Sequence, residues 1–293
     1  MSTRPEIIFV AGVDLSGSTV VDLALGSLPG IVGLGEVDNI LVPAKRSLGE
    51  AKNGPIGDQL CTCGKLGKEC PIWGPVLNYL QSHTASPYSI RYRFLLDQVA
   101  KTLTGVSYVV DSSKESVALE RVISAANDIP LQGPPKVVLV RRGPVSWLLS
   151  DDRRAKRRNL SRNLRIRRRR LRKWATRYRG LDKSITRLSL PTMRVGLSQL
   201  QADPDTLIYA LRSGLGISLK PGESIDIGKT QSHVLWGSHH RHGGSTSQAI
   251  RPQPKEPLSA QFEGMAILAS VPVALSQHIK LVLLETLRQR PHG

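Results

Sequence analysis

Residues 7–20 read Ile7-Ile8-Phe9-Val10-Ala11-Gly12-Val13-Asp14-Leu15-Ser16-Gly17-Ser18-Thr19-Val20. Four consecutive apolar residues make a short buried strand. Gly12 opens a loop and Gly17 closes it. Ser18-Thr19 then lead into an apolar run, Val20 to Leu28, that is long enough for a helix and is stopped by Leu28-Pro29-Gly30. A strand, a glycine loop and a helix N-terminus in succession form an anion site. The loop amides turn inward, and the first helical N–H groups have no acceptor within their own helix.

The spacing Gly12-x4-Gly17-Ser18-Thr19 is that of a P-loop without its lysine. A nucleoside triphosphatase needs a lysine at position 18 to reach the β- and γ-phosphates. Ser18 and Thr19 instead suit a smaller anionic group held by amides and hydroxyls.

A chain of 293 residues, 40% of them hydrophobic, builds one large domain, and we read 1–293 as such. Its formal charge of +18 is concentrated in one place: 15 of the 41 Lys and Arg lie between Arg153 and Arg179, with no Asp or Glu among them. The remainder carries about +3, an ordinary balance. The N-terminus enters the first strand without a basic-then-apolar leader, and the apolar run Met265–Leu284 is broken by Pro272, Gln277, His278 and Lys280. These features predict a core helix at 265–284 and a cytoplasmic location, peripheral to a membrane if the basic segment meets one.

Further strand ends carry polar groups. Ile31–Val37 is a second strand, and it delivers Glu36 toward the end where ligands bind in parallel sheets. Residues 43–60 read as loop. The run Cys61-x-Cys63-x6-Cys70-Pro71-Ile72-Trp73 lies in an insert at about 45–85. His83 could complete a zinc set with it, but the spacing is not a standard zinc pair. The three thiols are therefore read as packed or reversibly oxidised, and no metal is expected. An amphipathic helix covers Arg91–Leu103. A third strand ends in Asp111-Ser112-Ser113-Lys114, and a helix follows over Glu115–Ala126. The fourth strand, Lys136–Val140, ends in Arg141-Arg142-Gly143-Pro144, with Ser150 on the next helix.

The basic segment, about 153–180, places Leu160, Leu164, Leu171, Trp174 and Tyr178 near helical spacing among arginines. It reads as a cationic amphipathic helix for an anionic membrane or anionic acceptor, or as a solvated surface. Trp174 and Tyr178 alone offer little stacking platform, so nucleic acid is not expected as a partner. Asp203-Pro204 signals a helix start, with Leu207, Ala210, Leu211 and Leu215 on its buried face. His233, His239, His240 and His242 cluster without an accompanying carboxylate, and 242–258 is flexible by composition.

Together these motifs resemble the PAPS-dependent sulfotransferases of bacterial type (PAPS is 3′-phosphoadenosine 5′-phosphosulfate). Ser16-Gly17-Ser18-Thr19 is similar to their 5′-phosphosulfate loop. Arg142, Pro144 two residues on and Ser150 eight residues on keep the register of their 3′-phosphate element. The cysteine insert and Arg194 with Asp203-Pro204 also match, and His233–Arg241 resembles a segment whose arginine closes over the nucleotide.

The resemblance implies an α/β, P-loop-like three-layer sandwich with a central parallel sheet and the cofactor at the carboxyl ends of the strands. It implies transfer of a sulfuryl group from PAPS to a hydroxyl or amine of a small-molecule, lipid or carbohydrate acceptor. Gly12, Ser16, Gly17, Ser18, Thr19 and Val20 would hold the 5′-phosphosulfate, Arg142 and Ser150 the 3′-phosphate, and Arg241 would cover it. Glu36 would take the acceptor's proton and Lys114 would neutralise the leaving phosphate.

Leu15 departs from the pattern, because it stands where the family has Lys or Arg. Losing such a cation costs roughly 3 kcal/mol of transition-state stabilisation. Either Lys114 or Arg141 substitutes, or the protein is slow, or it binds without catalysing. The alternatives are thus a non-catalytic membrane or polyanion adaptor on the same fold and, in another class, a P-loop kinase with Asp111 as its magnesium acid.

Overall fold

The computed structural model describes residues 4–160, 163–202, 205–217, 225 and 231–237. The expected helix at 265–284, the loop at 242–258, Asp203-Pro204, Arg241 and three of the four clustered histidines lie outside these residues.

The described residues form a five-stranded sheet in the order β2-β3-β1-β4-β5, with every pairing parallel. The strands are β1 (Glu6–Ala11), β2 (Ile31–Gly35), β3 (Tyr108–Lys114), β4 (Lys136–Arg141) and β5 (Thr192–Gly196). The first strand takes the central position because it is apolar on both faces. Ile7, Phe9 and Ala11 enter one core, and Ile8 and Val10 enter the other.

The first core is covered by α2 (Val37–Leu41), α4 (Trp73–Ser82), α5 (Tyr88–Thr102), α6 (Ser116–Asp128), α7 (Pro144–Arg157) and α8 (Leu164–Arg187). The second is covered by α1 (Ser18–Leu25), α9 (Leu197–Ala202) and α10 (Asp205–Leu215). This is the three-layer α/β sandwich expected from the sequence.

Two expectations change. Residues 43–60, read as loop, contain α3 (Pro43–Asn53). Pro43 presets its first turn, and its side is polar, so there is no periodic apolar signal. Gly49 is the one residue of α3 that is buried, because the Trp236 indole lies on it and a Cβ there would overlap the ring.

The basic segment, read as one helix, is divided between the end of α7 and α8. Leu171, Trp174 and Tyr178 of α8 are buried against the protein's own first core, each no more than 2% exposed, whereas the other two apolar positions, Leu160 (50%) and Leu164 (49%), face solvent. Trp174 packs edge-on to Tyr178 at 5.0 Å between ring centres. The Tyr178 hydroxyl donates to the Val140 carbonyl (2.9 Å) and accepts from the Arg142 amide (3.3 Å), which clamps the end of β4. Many arginines are paired nearby: Arg170 and Arg154 with Asp151, Arg167 with Asp152, and Arg177 with Asp14. Asn163 caps α8 by accepting from the Ile166 amide at 3.0 Å. Asn163→Ala is expected to cost about 1 kcal/mol, read as a lower denaturation midpoint with an unchanged slope.

No helix among the described residues is long and apolar enough to cross a membrane. Residues 231–237 run along the outer edge of β2. Gln231 donates to Gly26, His233 to Gly33, and Glu36 in turn to the Trp236 carbonyl, so this edge of the sheet is paired.

Candidate active site

The sheet is irregular at one end only. Register shifts occur between Phe9 and Ala11 and between Gly33 and Gly35, both against β3. They fall at the carboxyl ends of the strands, where the sheet must open to admit the glycine loop.

The loop leaves β1 with the Gly12 amide bonded to the Lys114 carbonyl at 3.1 Å. It closes at Gly17, which has a φ of 98°, and α1 begins at once with Ser18. A Cβ at Gly12 would collide with Ser16 Oγ, and one at Gly17 with Leu197. Ser16 is fully buried, and its hydroxyl finds no hydrogen-bond partner among the described residues. Such a group costs about 1–3 kcal/mol unless something accepts or donates to it. Ser18 and Thr19 are buried in the first turn of α1. Val20 is half-buried there, its amide bonded to the Gly17 carbonyl.

Arg142, at the end of β4, reaches the same loop. Its guanidinium donates to the Leu15 carbonyl at 2.9 Å, to Ser150 Oγ at 3.2 Å and to Ser146 Oγ at 2.9 Å. Arg142 and Ser150 are thus together, as their eight-residue spacing on β4 and α7 requires.

Glu36 and Lys114 also meet. Lys114 Nζ forms an ion pair with Glu36 Oε1, and Asn39 Nδ2 donates to Glu36 Oε2 at 2.6 Å. Both charged side chains are mostly buried. Lys114 ends β3 with a φ of 69°, a left-handed conformation that turns its side chain out of the strand's alternation. Glu36, Asn39, Lys45, Lys114 and Trp236 line a cavity of about 270 Å³ that also touches Asp14. On the other side of Asp14 lies a second cavity of about 270 Å³ between α7 and α8, lined by Arg154, Arg158, Arg170, Lys173, Arg177 and the ring of Trp174.

The loop departs from the expected chemistry at two positions. Leu15, with a φ of 65°, packs its side chain against the first core, so that position offers no cation. Asp14 sits in the mouth itself. What burial it has works to raise its pKa, but Lys114 and Arg177 outweigh this and hold the carboxyl below its ordinary value. Arg141, one candidate for the missing cation, is bonded to Asp182 at 3.0 and 3.2 Å. Of the two lysines in the cavity with Glu36, Lys45 is paired with Asp38 and Lys114 with Glu36 itself.

Three supporting residues, Asp22, Asp38 and Trp236, escaped the sequence reading, and a fourth, Asp111, was read there for another role. Asp22 Oδ2 accepts from the Gly35 amide at 3.0 Å, directly before Glu36. Asp38 is fully buried and held by Arg121 at 2.8 Å and Lys45 at 2.7 Å, and its amide bonds to Ser113 Oγ. Asp111, the one acid considered for magnesium, accepts from the Ser113 amide and hydroxyl and from Tyr92. Its carboxyl braces the strand end from within and is not turned to the loop. Trp236 walls the cavity. An acid at i and a glycine thirteen residues on give no local signal for such contacts.

The thiols of Cys61, Cys63 and Cys70 converge, but not on His83. That residue is exposed and stacks on Tyr79 at 4.2 Å. The imidazole beside them belongs to His233.

No family model matches this chain, and no curated relative does. Solved structures do. The sulfotransferase domain of the olefin synthase of Synechococcus PCC 7002 aligns over 99% of this chain and 97% of its own length, at 15% identity and a TM-score of 0.54. The sulfotransferase domain from the curacin biosynthetic pathway aligns over 92% of this chain and all of its own, at 15% identity and a TM-score of 0.43. A Mycobacterium tuberculosis sulfotransferase, STF1, aligns over 78% of this chain and 74% of its own, at 16% identity and a TM-score of 0.44. The first of these carries the conclusion that the parallel sheet, its helical layers and its glycine loop make up a sulfotransferase fold.

Proposed function

We propose that this chain transfers a sulfuryl group from PAPS to an acceptor hydroxyl or amine. The observation that carries the reading is the Arg142 guanidinium, bonded at once to the carbonyl of the glycine loop and to Ser150 Oγ. It sets a fixed cation and a hydroxyl beside a loop whose own buried Ser16 hydroxyl lacks a partner among the described residues. A donor with two anionic ends fits this arrangement: Ser16, Ser18, Thr19 and the amides of residues 12–20 for the 5′-phosphosulfate, Arg142 and Ser150 for the 3′-phosphate. Arg241, outside the described residues, is proposed to cover it.

The donor supplies the sulfuryl group, whose bond to the phosphate oxygen breaks as a bond to the acceptor oxygen or nitrogen forms. Glu36 takes the acceptor's proton. Lys114 exchanges its partner from Glu36 to the oxygen of the leaving phosphate, and so does the work that Leu15 cannot. Asp14 weakens the anion site, and Lys114 and Arg177 offset it.

The acceptor enters the cavity bounded by Glu36 and Trp236. The arginine-lined cavity on the other side of Asp14 favours an acceptor that bears an anionic group. Any contact with an anionic membrane through 153–179 is mainly electrostatic, because Leu171, Trp174 and Tyr178 are occupied by the core and only Leu160 and Leu164 are left exposed. The core position of Leu15 favours a second reading, a fold kept for binding alone.

Calorimetric titration with PAP, the desulfated donor, against ATP and without metal tests the proposal. PAP is expected to bind at micromolar concentration, and Arg142→Ala to weaken it about 10–100-fold, the worth of one or two charge-assisted hydrogen bonds. Absence of PAP binding, or stronger binding of ATP, overturns it.

A further inference from the structure

The cysteine insert is closed by two local devices. Leu60 and Leu66 form an antiparallel bridge, and within it the Gly64 amide donates to the Cys61 carbonyl at 2.9 Å. Gly64 has a φ of 84°, which lets Cys61-Thr62-Cys63 curl so that both thiols face one point. Cys70 stands just ahead of α4, where the Trp73 amide points at its sulfur (3.5 Å).

His233 arrives from 163 positions further along the chain, with Nδ1 3.3 Å from Cys70 Sγ. Its backbone is fixed on both sides. The His233 amide donates to Gly33 at 2.7 Å, and its carbonyl accepts from the Trp73 indole at 2.5 Å. Thr62 Oγ1 donates to the Ser232 carbonyl and accepts from the Val234 amide. The three sulfurs and the imidazole nitrogen all lie within 4.8 Å of one another. Cys61 and Cys70 are 1% exposed and His233 8%.

We propose that Cys61, Cys63, Cys70 and His233 bind one structural zinc ion. Three thiolates and an imidazole are a soft tetrahedral set of the kind zinc prefers. With Zn–S near 2.3 Å and Zn–N near 2.0 Å, its ligand atoms would lie about 3.5–3.8 Å apart, a small contraction of the observed cluster. Binding releases the three thiol protons and leaves the set with one net negative charge, toward which the Trp73 amide already donates. All four positions are taken by protein, so the ion has no open site and does no chemistry.

The role of the ion is mechanical. His233 belongs to the segment that also carries Trp236, whose carbonyl holds the Glu36 amide. Zinc therefore cross-links the insert to one wall of the cavity. The inference stands apart from the donor proposal, since none of the four ligands touches the glycine loop.

The full chain should be purified under reducing conditions, dialysed against chelator and then metal-free buffer, and its metal measured by plasma mass spectrometry. One zinc per chain is expected. Cobalt(II) in its place should give thiolate-to-metal charge-transfer bands and the intense visible bands of a tetrahedral site. Cys63→Ser, which alters the most exposed ligand, should lose the metal. His233→Cys, which keeps four ligands, should retain it. Arg142→Ala should keep zinc while losing PAP, so the two proposals fail separately. A folded, reduced wild-type protein without zinc and without cobalt bands overturns the inference, as does a disulfide among the three cysteines found by peptide mass.

Discussion

Glu36→Gln is expected to lower sulfuryl transfer by about 10²–10⁴-fold while PAP affinity stays at or above that of the wild type. The glutamine is isosteric but cannot accept a proton. The side chain is otherwise well held. Gly35 precedes it in a left-handed conformation with a φ of 76°, and a Cβ there would strike the Trp236 carbonyl. The Glu36 amide bonds to that carbonyl at 3.0 Å, and Asn39 fixes one carboxylate oxygen. A neutral residue keeps this frame and removes only the base. It also releases Lys114 from its ion pair, so the cation is left for the donor, and binding does not weaken. Turnover measured by PAP release, with affinity measured by calorimetry, separates the two effects. Wild-type turnover in Glu36→Gln would remove Glu36 from the mechanism. A protein that binds PAP but turns over no acceptor, with or without Glu36, would support the binding-only reading.

Stability is expected to fall as the pH rises from about 4 to about 7. Asp22 and Asp111 are fully buried, and burial pushes each carboxyl up from 3.8 to about 7, against the hydrogen bonds from Gly35 and Ser113 that favour ionisation. The charge of Asp111 adds to the rise at Asp22, and that of Asp38 to the rise at Asp111. In this window the folded chain keeps protons that the unfolded chain has already released, so stability is present below the unfolded value and is lost on the way to the folded one. A shift of this size corresponds to about 4 kcal/mol per group. Urea midpoints taken across this range should decline. Asp111→Asn, which is neutral at every pH and can still accept from the Ser113 amide, should remove about half of the slope. A wild-type midpoint that stays level would mean that both carboxyls ionise without cost.

The sheet and the loop were legible because their physics is local. Ile7–Val10 is apolar at every position, Gly12 and Gly17 mark the turn, and the polar residues at 111–114 and 141–142 follow unbroken apolar runs. Arg142 and Ser150 could be paired because one strand end and two helical turns fix their distance. Contacts across long separations left no trace in the sequence. Trp236 on Gly49, Asp22 under Gly35 and His233 beside Cys70 depend on which elements become neighbours. The α8 arginines misled for a related reason: Asp151, Asp152, Asp14 and Glu115, which balance many of them, lie outside the run that was counted.

The pairing of residues 231–237 with the edge of β2 also bears on how the protein is made. Gly33 and Glu36 leave the ribosome early, and their partners His233 and Trp236 follow roughly 200 positions later, a separation that makes closure slow relative to local folding. Until then β2 is an open edge, and Glu36 lacks the backbone acceptor that fixes it. The contacts that hold the glycine loop to Lys114 and Arg142 all precede this segment in the chain. Under the proposed function, Glu36 is therefore positioned as a base only after the last of these strand-edge contacts has emerged from the exit tunnel.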